Sequence, residues 1–315
     1  MTPLPPEFAA ARERFLDLVR ELRPDLHRYC SRLVGSAIDG EDVVQETLAK
    51  AYYALSLSTE LPPLKPWLLR IAPNTAIDLL RRYDRRFVEP AAQVEDLAVT
   101  DDAASPDVVR MALSGFIALP LLQRSSVILK DVLGFSLDEI ARTTGATVPA
   151  VKAALVRGRS ALRSQPKEGP NEGTTPWRDR PETSAAERKL LDAYVALFNV
   201  RDWRGVEDLI GEECRLDLVS RAARVGKKQV TEYFGHYAKH DVRLAVGKAE
   251  GRDVLGVFLP ASEARPSYIA ALEVEGDRIV LIRDWRYVPY LMGELECDFG
   301  AGQGAGQGKV STWRR

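Results

Sequence analysis

Lys152, Arg157, Arg159 and Arg163 stand close together in a stretch, Ala141–Ser164, that holds no acid at all. Guanidinium and ammonium groups without carboxylate neighbours are suited to phosphate oxygens. Projected at about 100° per residue, Val151, Leu155, Gly158 and Leu162 share one side of a helix and are expected to face a core. Lys152, Arg159 and Arg163 then form a ridge on one shoulder, and Arg157 lies on the other. A second set occurs in "PWLLRIAPNTAIDLLRRYDRR", where Arg70, Asn74, Asp78, Arg81 and Arg85 fall on one helical face with Arg82 beside them. Lys65 and Trp67 stand at its start. Cations, an amide and an indole on one surface suit phosphates and unstacked bases. Pro73 is expected to kink that helix, since proline removes a backbone donor.

The elements that must hold these groups can be read from the same residues. In "SLDEIARTTGATVPAVKAALVRGRSAL", Ser136 begins a capping box with Glu139. Gly145 supplies the positive φ of a tight turn, and Thr147 caps a following helix that tolerates Pro149 in its first turn. The arrangement predicts a helix-turn-helix whose second helix enters a DNA groove by its N-terminal turn, Thr147 and Val148 included. Upstream, apolar periodicity predicts helices through Phe15–Leu26, Val43–Leu55 and Trp67–Leu80. Asp39-Gly40 is expected to turn the chain ahead of a helix that begins with Glu41 and Asp42.

The chain has 315 residues and a formal net charge of −1, with 45% hydrophobic and 28% charged residues. That is the balance of a globular protein of two or three domains. Cys30, Cys214 and Cys297 have no metal-ligand spacing, which fits a reducing compartment and no metal site. No apolar run is long enough to span a bilayer, and the N-terminus lacks the pattern of a secretion signal. The cytoplasm is the expected location, and no cofactor is implied.

Residues 88–107 carry acids and prolines but no cation and are expected to be a tether. A second linker is expected over 165–184 and a flexible Gly/Gln/Ala tail over 299–315. Between them, 185–298 changes class. Helices around Leu190–Phe198 and Trp203–Ile210 precede strand-like runs at Arg215–Val219, Val242–Val246, Val254–Leu259, Tyr268–Val274 and Ile279–Trp285. A helix near Lys228–Tyr237 interrupts the strands, and Glu275-Gly276-Asp277 predicts a hairpin.

Three segments in this order resemble the extracytoplasmic-function (ECF) sigma factors of the sigma-70 family: "DGEDVVQETLAKAY", "PWLLRIAPNTAIDLLRR" and the long helix-turn-helix block ending at Arg163. The resemblance implies that Asp42, Gln45 and Glu46 bind core RNA polymerase. It implies that Lys65, Trp67, Arg70, Asn74, Asp78, Arg81, Arg82 and Arg85 meet the promoter −10 element. Thr147, Val148, Lys152, Arg157, Arg159 and Arg163 would meet the −35 element. It further implies an all-α region 2 over 1–87 and an all-α region 4 over 108–164. Ala185–Tyr290 resembles the SnoaL-like members of the NTF2-like superfamily, an α+β cone of sheet over a pocket. Asp217, His236, Asp284 and Tyr287 are its conceivable pocket groups. Asp217 is expected to point to solvent because Leu216 and Leu218 alternate with it, so no catalytic residue is assigned. The cone implies room for a small ligand and a regulatory contact with the sigma domains. Two other classes compete: a helix-turn-helix regulator acting without polymerase, and a SnoaL-like small-molecule protein or enzyme with a helical accessory region.

Overall fold

The structure is a computed structural model that describes residues 6–56, 62–83, 113–164, 183–235 and 237–299. Arg85, His236, the acidic stretch 88–107, residues 165–182 of the second linker and the tail from 300 lie outside these residues. The chain forms two compact units, Met1–Asp179 and Arg180–Arg315. The first is all-α and the second α+β.

The helical unit begins with α1 (Pro6–Val34), α2 (Ala37–Ser56) and α3 (Leu64–Tyr83). It continues with the short α4 (Leu113–Phe116) and with α5 (Leu121–Val127), which runs into a wider π turn over Ile128–Val132. It ends with α6 (Leu137–Thr144) and α7 (Val148–Arg163). One apolar core joins them: Leu33, Leu68, Leu80, Phe116, Ile128, Leu129 and Val151 are all essentially inaccessible. α3 is unbroken through Pro73.

The start of α2 differs from expectation. The helix begins at Ala37, so Asp39 and Gly40 lie inside its first turns, and the Ser36 hydroxyl accepts from the Asp39 N–H at 3.0 Å. Gly40 serves close packing rather than a turn. A Cβ there would lie 2.4 Å from Ser31 Oγ and 2.6 Å from Ser31 Cα. The backbones of α1 and α2 therefore meet at a point where only glycine fits.

The second unit opens with α8 (Ala185–Asn199), capped by Ser184 with Glu187, and α9 (Trp203–Asp208). Its strands are β1 (Ile210–Leu218), β2 (Ala222–Val225), β3 (Arg243–Ala249), β4 (Arg252–Phe258), β5 (Tyr268–Glu275), β6 (Arg278–Asp284) and β7 (Cys297–Asp298). Helix α10 (Lys227–Phe234) lies between β2 and β3. The sheet order is β2-β1-β6-β5-β4-β3-β7. Every neighbouring pair is antiparallel except β1–β6, which runs parallel from Ile210↔Ile279 to Leu218↔Asp284. Two hairpins are tight: Gly276 has φ +63°, and Glu250-Gly251 has φ +50° and +77°, the conformation that right-twisted strands require. The periodicity did not reveal β2, whose four residues AARV are half-buried or exposed.

Replacing Gly40 with alanine is expected to destabilise the chain by about 1–3 kcal/mol, although helix propensity alone favours alanine by about 1 kcal/mol. Urea unfolding of the full chain, followed by far-UV circular dichroism, measures the sign. A stabilised variant would contradict the close approach.

Candidate nucleic-acid and polymerase interface

The helix-turn-helix is built as its sequence dictates. The Ser136 hydroxyl accepts from the Glu139 N–H at 3.3 Å, and the Glu139 carboxylate accepts from the Ser136 N–H at 2.9 Å. Hydrogen bonds from the Ser136 hydroxyl and N–H hold the Glu139 carboxyl below the usual carboxylate range. Gly145 takes φ +73°. The Thr147 hydroxyl accepts from the Ala150 N–H at 3.3 Å and so starts α7. Val151, Leu155, Gly158 and Leu162 are buried. Gly158 again marks a close approach, since a Cβ would sit 2.8 Å from Val127 of α5.

The basic residues of α7 do not form one ridge. Thr147 and Arg163 are exposed, and Val148, Lys152 and Arg157 are half-buried. Arg159 must be removed from the expected DNA-facing set. It is buried, and its guanidinium grips Asp131 with two bonds, Nε–Oδ2 at 3.0 Å and Nη2–Oδ1 at 2.6 Å. The helical projection placed Arg159 beside Arg163 because it contained no information about the π turn, which brings Asp131 against α7. The paired charges are shielded from solvent and fix α7 to α5.

On α3, Arg70, Asn74, Asp78, Arg81 and Arg82 are exposed, and Trp67 is half-buried against the core. The structure joins this face to the polymerase-facing residues expected on α2. Glu46 pairs with Arg82 and, at 3.1 Å, with Lys50. Lys50 also reaches Asp78 at 3.2 Å and the Thr75 hydroxyl at 3.3 Å. Partial burial pushes the Glu46 carboxyl up, but hydrogen bonds from Arg82 and Lys50 outweigh it and hold the group below its ordinary range. Lys50 is the residue that sequence reasoning missed; its spacing of four from Glu46 was the available signal. Asp42 and Gln45 are half-buried, and the Gln45 amide donates to the buried Glu41 carboxylate at 2.7 Å, which Arg23 also holds at 2.7 Å.

The basic face of α3 touches the first helix of the helix-turn-helix, α6. Lys65 pairs with Asp25 at 2.7 Å and lies 5.3 Å from the centre of the Phe135 ring. Arg70 donates to the Arg142 carbonyl on α6 at 2.5 Å. Arg124 of α5 is buried and donates to the Leu33 carbonyl of α1 at 2.6 Å.

In the α+β unit, Asp284 is buried in the cone. It accepts from the Tyr237 hydroxyl at 2.9 Å and from the Arg286 N–H at 2.8 Å, and Tyr237 and Tyr268 oxygens stand 3.2 Å apart. Burial raises the Asp284 carboxyl above its ordinary range despite those bonds. Asp217 lies outside the cone, 3.8 Å from Arg283. The interior is lined by Tyr194, Phe198, Tyr233 and Phe234 among others, and only about 20 Å³ is left, room for a single water.

Comparison with known proteins follows this division. Residues 18–86 match Sigma-70 region 2, and residues 117–162 match Sigma-70, region 4. The chain is 30% identical over 166 residues to the ECF RNA polymerase sigma factor SigW of Bacillus subtilis, spanning 49% of this chain and 89% of that protein. This chain belongs to the ECF RNA polymerase sigma factors. The ECF sigma factor is also 27% identical over 290 residues to SigG of Mycobacterium tuberculosis, across 82% of this chain and 77% of that one. This similarity covers more than the helical unit alone could supply. Among solved structures it is similar to the Mycobacterium tuberculosis extracytoplasmic function sigma factor SigJ, at 19% identity over 85% of this chain and 95% of that chain, with a TM-score of 0.33.

Two arginines four residues apart on α7 are thus expected to behave differently. Arg163→Gln should leave stability unchanged and lower the slope of log affinity for −35 DNA against log salt by about 0.9. Arg159→Met should cost about 3–5 kcal/mol by stranding the buried Asp131, and Asp131→Leu in the same chain should recover most of it. Fluorescence anisotropy across a salt series and urea titration measure the two effects. A stable Arg159→Met variant with a reduced salt slope would return Arg159 to the DNA surface.

Proposed function

We propose that this ECF sigma factor directs core RNA polymerase to promoters in the cytoplasm. In this reading α2 meets the polymerase through Asp42, Gln45 and Glu46. The exposed face of α3, with Arg70, Asn74, Asp78, Arg81 and Arg82, meets the −10 element, Lys65 and Trp67 flank it, and Arg85 extends it. Thr147, Val148, Lys152, Arg157 and Arg163 of α7 meet the −35 element. The observation that carries the reading is the capped helix-turn-helix following a polar, cation-bearing α3, in a helical unit whose residues 18–86 and 117–162 match sigma regions 2 and 4.

The domains proposed are region 2 over 1–87, region 4 over 108–164 and the α+β unit over 185–298, with linkers between them. The α+β unit regulates the sigma domains and performs no catalysis. Its filled interior supports that, because the buried Asp284 is screened by tyrosines and has no space beside it for a substrate. Among the described residues, no helix is long and apolar enough to cross a membrane.

The helical unit also has to open. In this reading the −35 and −10 elements are separate sites along one duplex. Here Arg70 of α3 touches α6 directly. In this reading polymerase binding releases the Arg70–Arg142 contact between α3 and α6, so that α3 and α7 reach separate elements.

Pull-down with core RNA polymerase, then run-off transcription on a promoter library, tests the main reading. Promoter-specific transcripts are expected from the full chain, and a chain ending at Ser164 should give altered output. DNA binding without polymerase binding would instead favour the operator-binding regulator. Opening is measured by spin labels at Asn74→Cys and Ser160→Cys, with the exposed Cys297 replaced by serine. The distance between them is expected to lengthen on binding polymerase and promoter, and an unchanged distance contradicts it.

A further inference from the structure

We propose that the mouth of the C-terminal cone is a binding site for a small phosphate-bearing ligand of mononucleotide size, held by Arg221, Arg224 and Arg286. These residues line a groove of about 340 Å³ together with Tyr233, Tyr287 and His240. The volume falls in the range of small-molecule sites, in contrast to the filled interior of the cone. No carboxylate lines the groove.

The three arginines converge from different elements. Arg221 follows β1 in a turn where Ser220 has φ +73°, Arg224 lies on β2, and Arg286 follows β6. Each lies near an aromatic ring: Arg221 stands 4.4 Å from the centre of Tyr287, Arg224 5.9 Å from Tyr233, and Arg286 5.8 Å from Tyr237. Ring stacking orients a guanidinium and leaves its charge uncompensated. None of the three has a carboxylate ion-pair partner among the described residues, and the Arg224 Nε is buried there without a hydrogen-bond acceptor. Asp284 interacts electrostatically with Arg286, but it lines the interior of the cone and not the groove. Three convergent guanidiniums match the several oxygens of a phosphate, and the flanking tyrosines offer flat surfaces for a base or other planar group.

This proposal is independent of the sigma-factor reading, because binding is measured without polymerase or DNA. Calorimetric titration of the full chain with adenosine monophosphate at about 0.1 M salt should show one saturable site, and adenosine alone should show none. Inorganic pyrophosphate separates the sources: weaker binding than the nucleotide identifies a nucleotide-like ligand, and equal binding identifies the phosphate group alone. Arg221→Gln and Arg224→Gln should each weaken binding at least tenfold. Lys248→Gln, an equal loss of charge on the exposed face of β3, should not. Absence of saturable binding by either probe, or arginine variants that bind as well as the parent, overturns the site. So does binding of single-stranded oligonucleotide but neither small probe, which would make the groove a nucleic-acid contact.

Discussion

Arg124 holds the helical unit together by a bond between distant parts of the chain. Its guanidinium is 2% exposed and gives hydrogen bonds to the carbonyls of Leu33, Ile117 and Leu119. Leu33 lies in the last turn of α1, where carbonyls lack intrahelical partners and the helix dipole is negative. The cation is thus satisfied by backbone oxygen. From Arg124 the rest follows by contact: α5 presents Val127 to Gly158, the π turn presents Asp131 to Arg159, and α7 is placed. Removing the guanidinium would leave buried carbonyls unpaired, which costs about 1–3 kcal/mol each.

A joint of this kind suits the opening proposed for this unit. An apolar plug at position 124 would resist exposure, whereas an arginine is readily hydrated once it leaves its pocket. The same holds for the Lys65 and Arg70 contacts, which are cations resting on a ring and a carbonyl. These polar contacts supplement the apolar core that joins the helices, and water can replace them.

Local chemistry was legible in the sequence where it involved neighbours along the chain. Ser136 with Glu139, Gly145 and Thr147 act within one turn of themselves, so residue type and spacing suffice. The apolar stripe of α7 was readable for the same reason. Arg159 was not, because its burial depends on Asp131 in a π turn that periodicity does not encode. Gly40 looked like a turn residue, but its role is set by Ser31 on another helix. Lys50 was overlooked because its value comes from Asp78 across the α2–α3 seam. In the cone, the alternation of Leu216, Asp217 and Leu218 correctly set Asp217 outside, whereas β2 has too little buried surface to leave a pattern. The basic groove was invisible since Arg221, Arg224 and Arg286 meet only when β1 and β6 are side by side.

That pairing has a consequence for the order in which the protein is made. β1 is parallel to β6, and Ile210 finds its partner only when Ile279 has emerged. At about 5–20 residues per second the interval is roughly 3–14 s. Until then β1 has only the short β2 beside it, and a chain interrupted before residue 278 keeps β1 and β5 as open edges prone to pairing with other chains. The helical unit, whose core is complete by Leu162, is synthesised well before. Each nascent copy therefore passes through a period in which its promoter-reading half is finished and its appended half is not, so translation itself imposes a delay on any control that the second unit exerts.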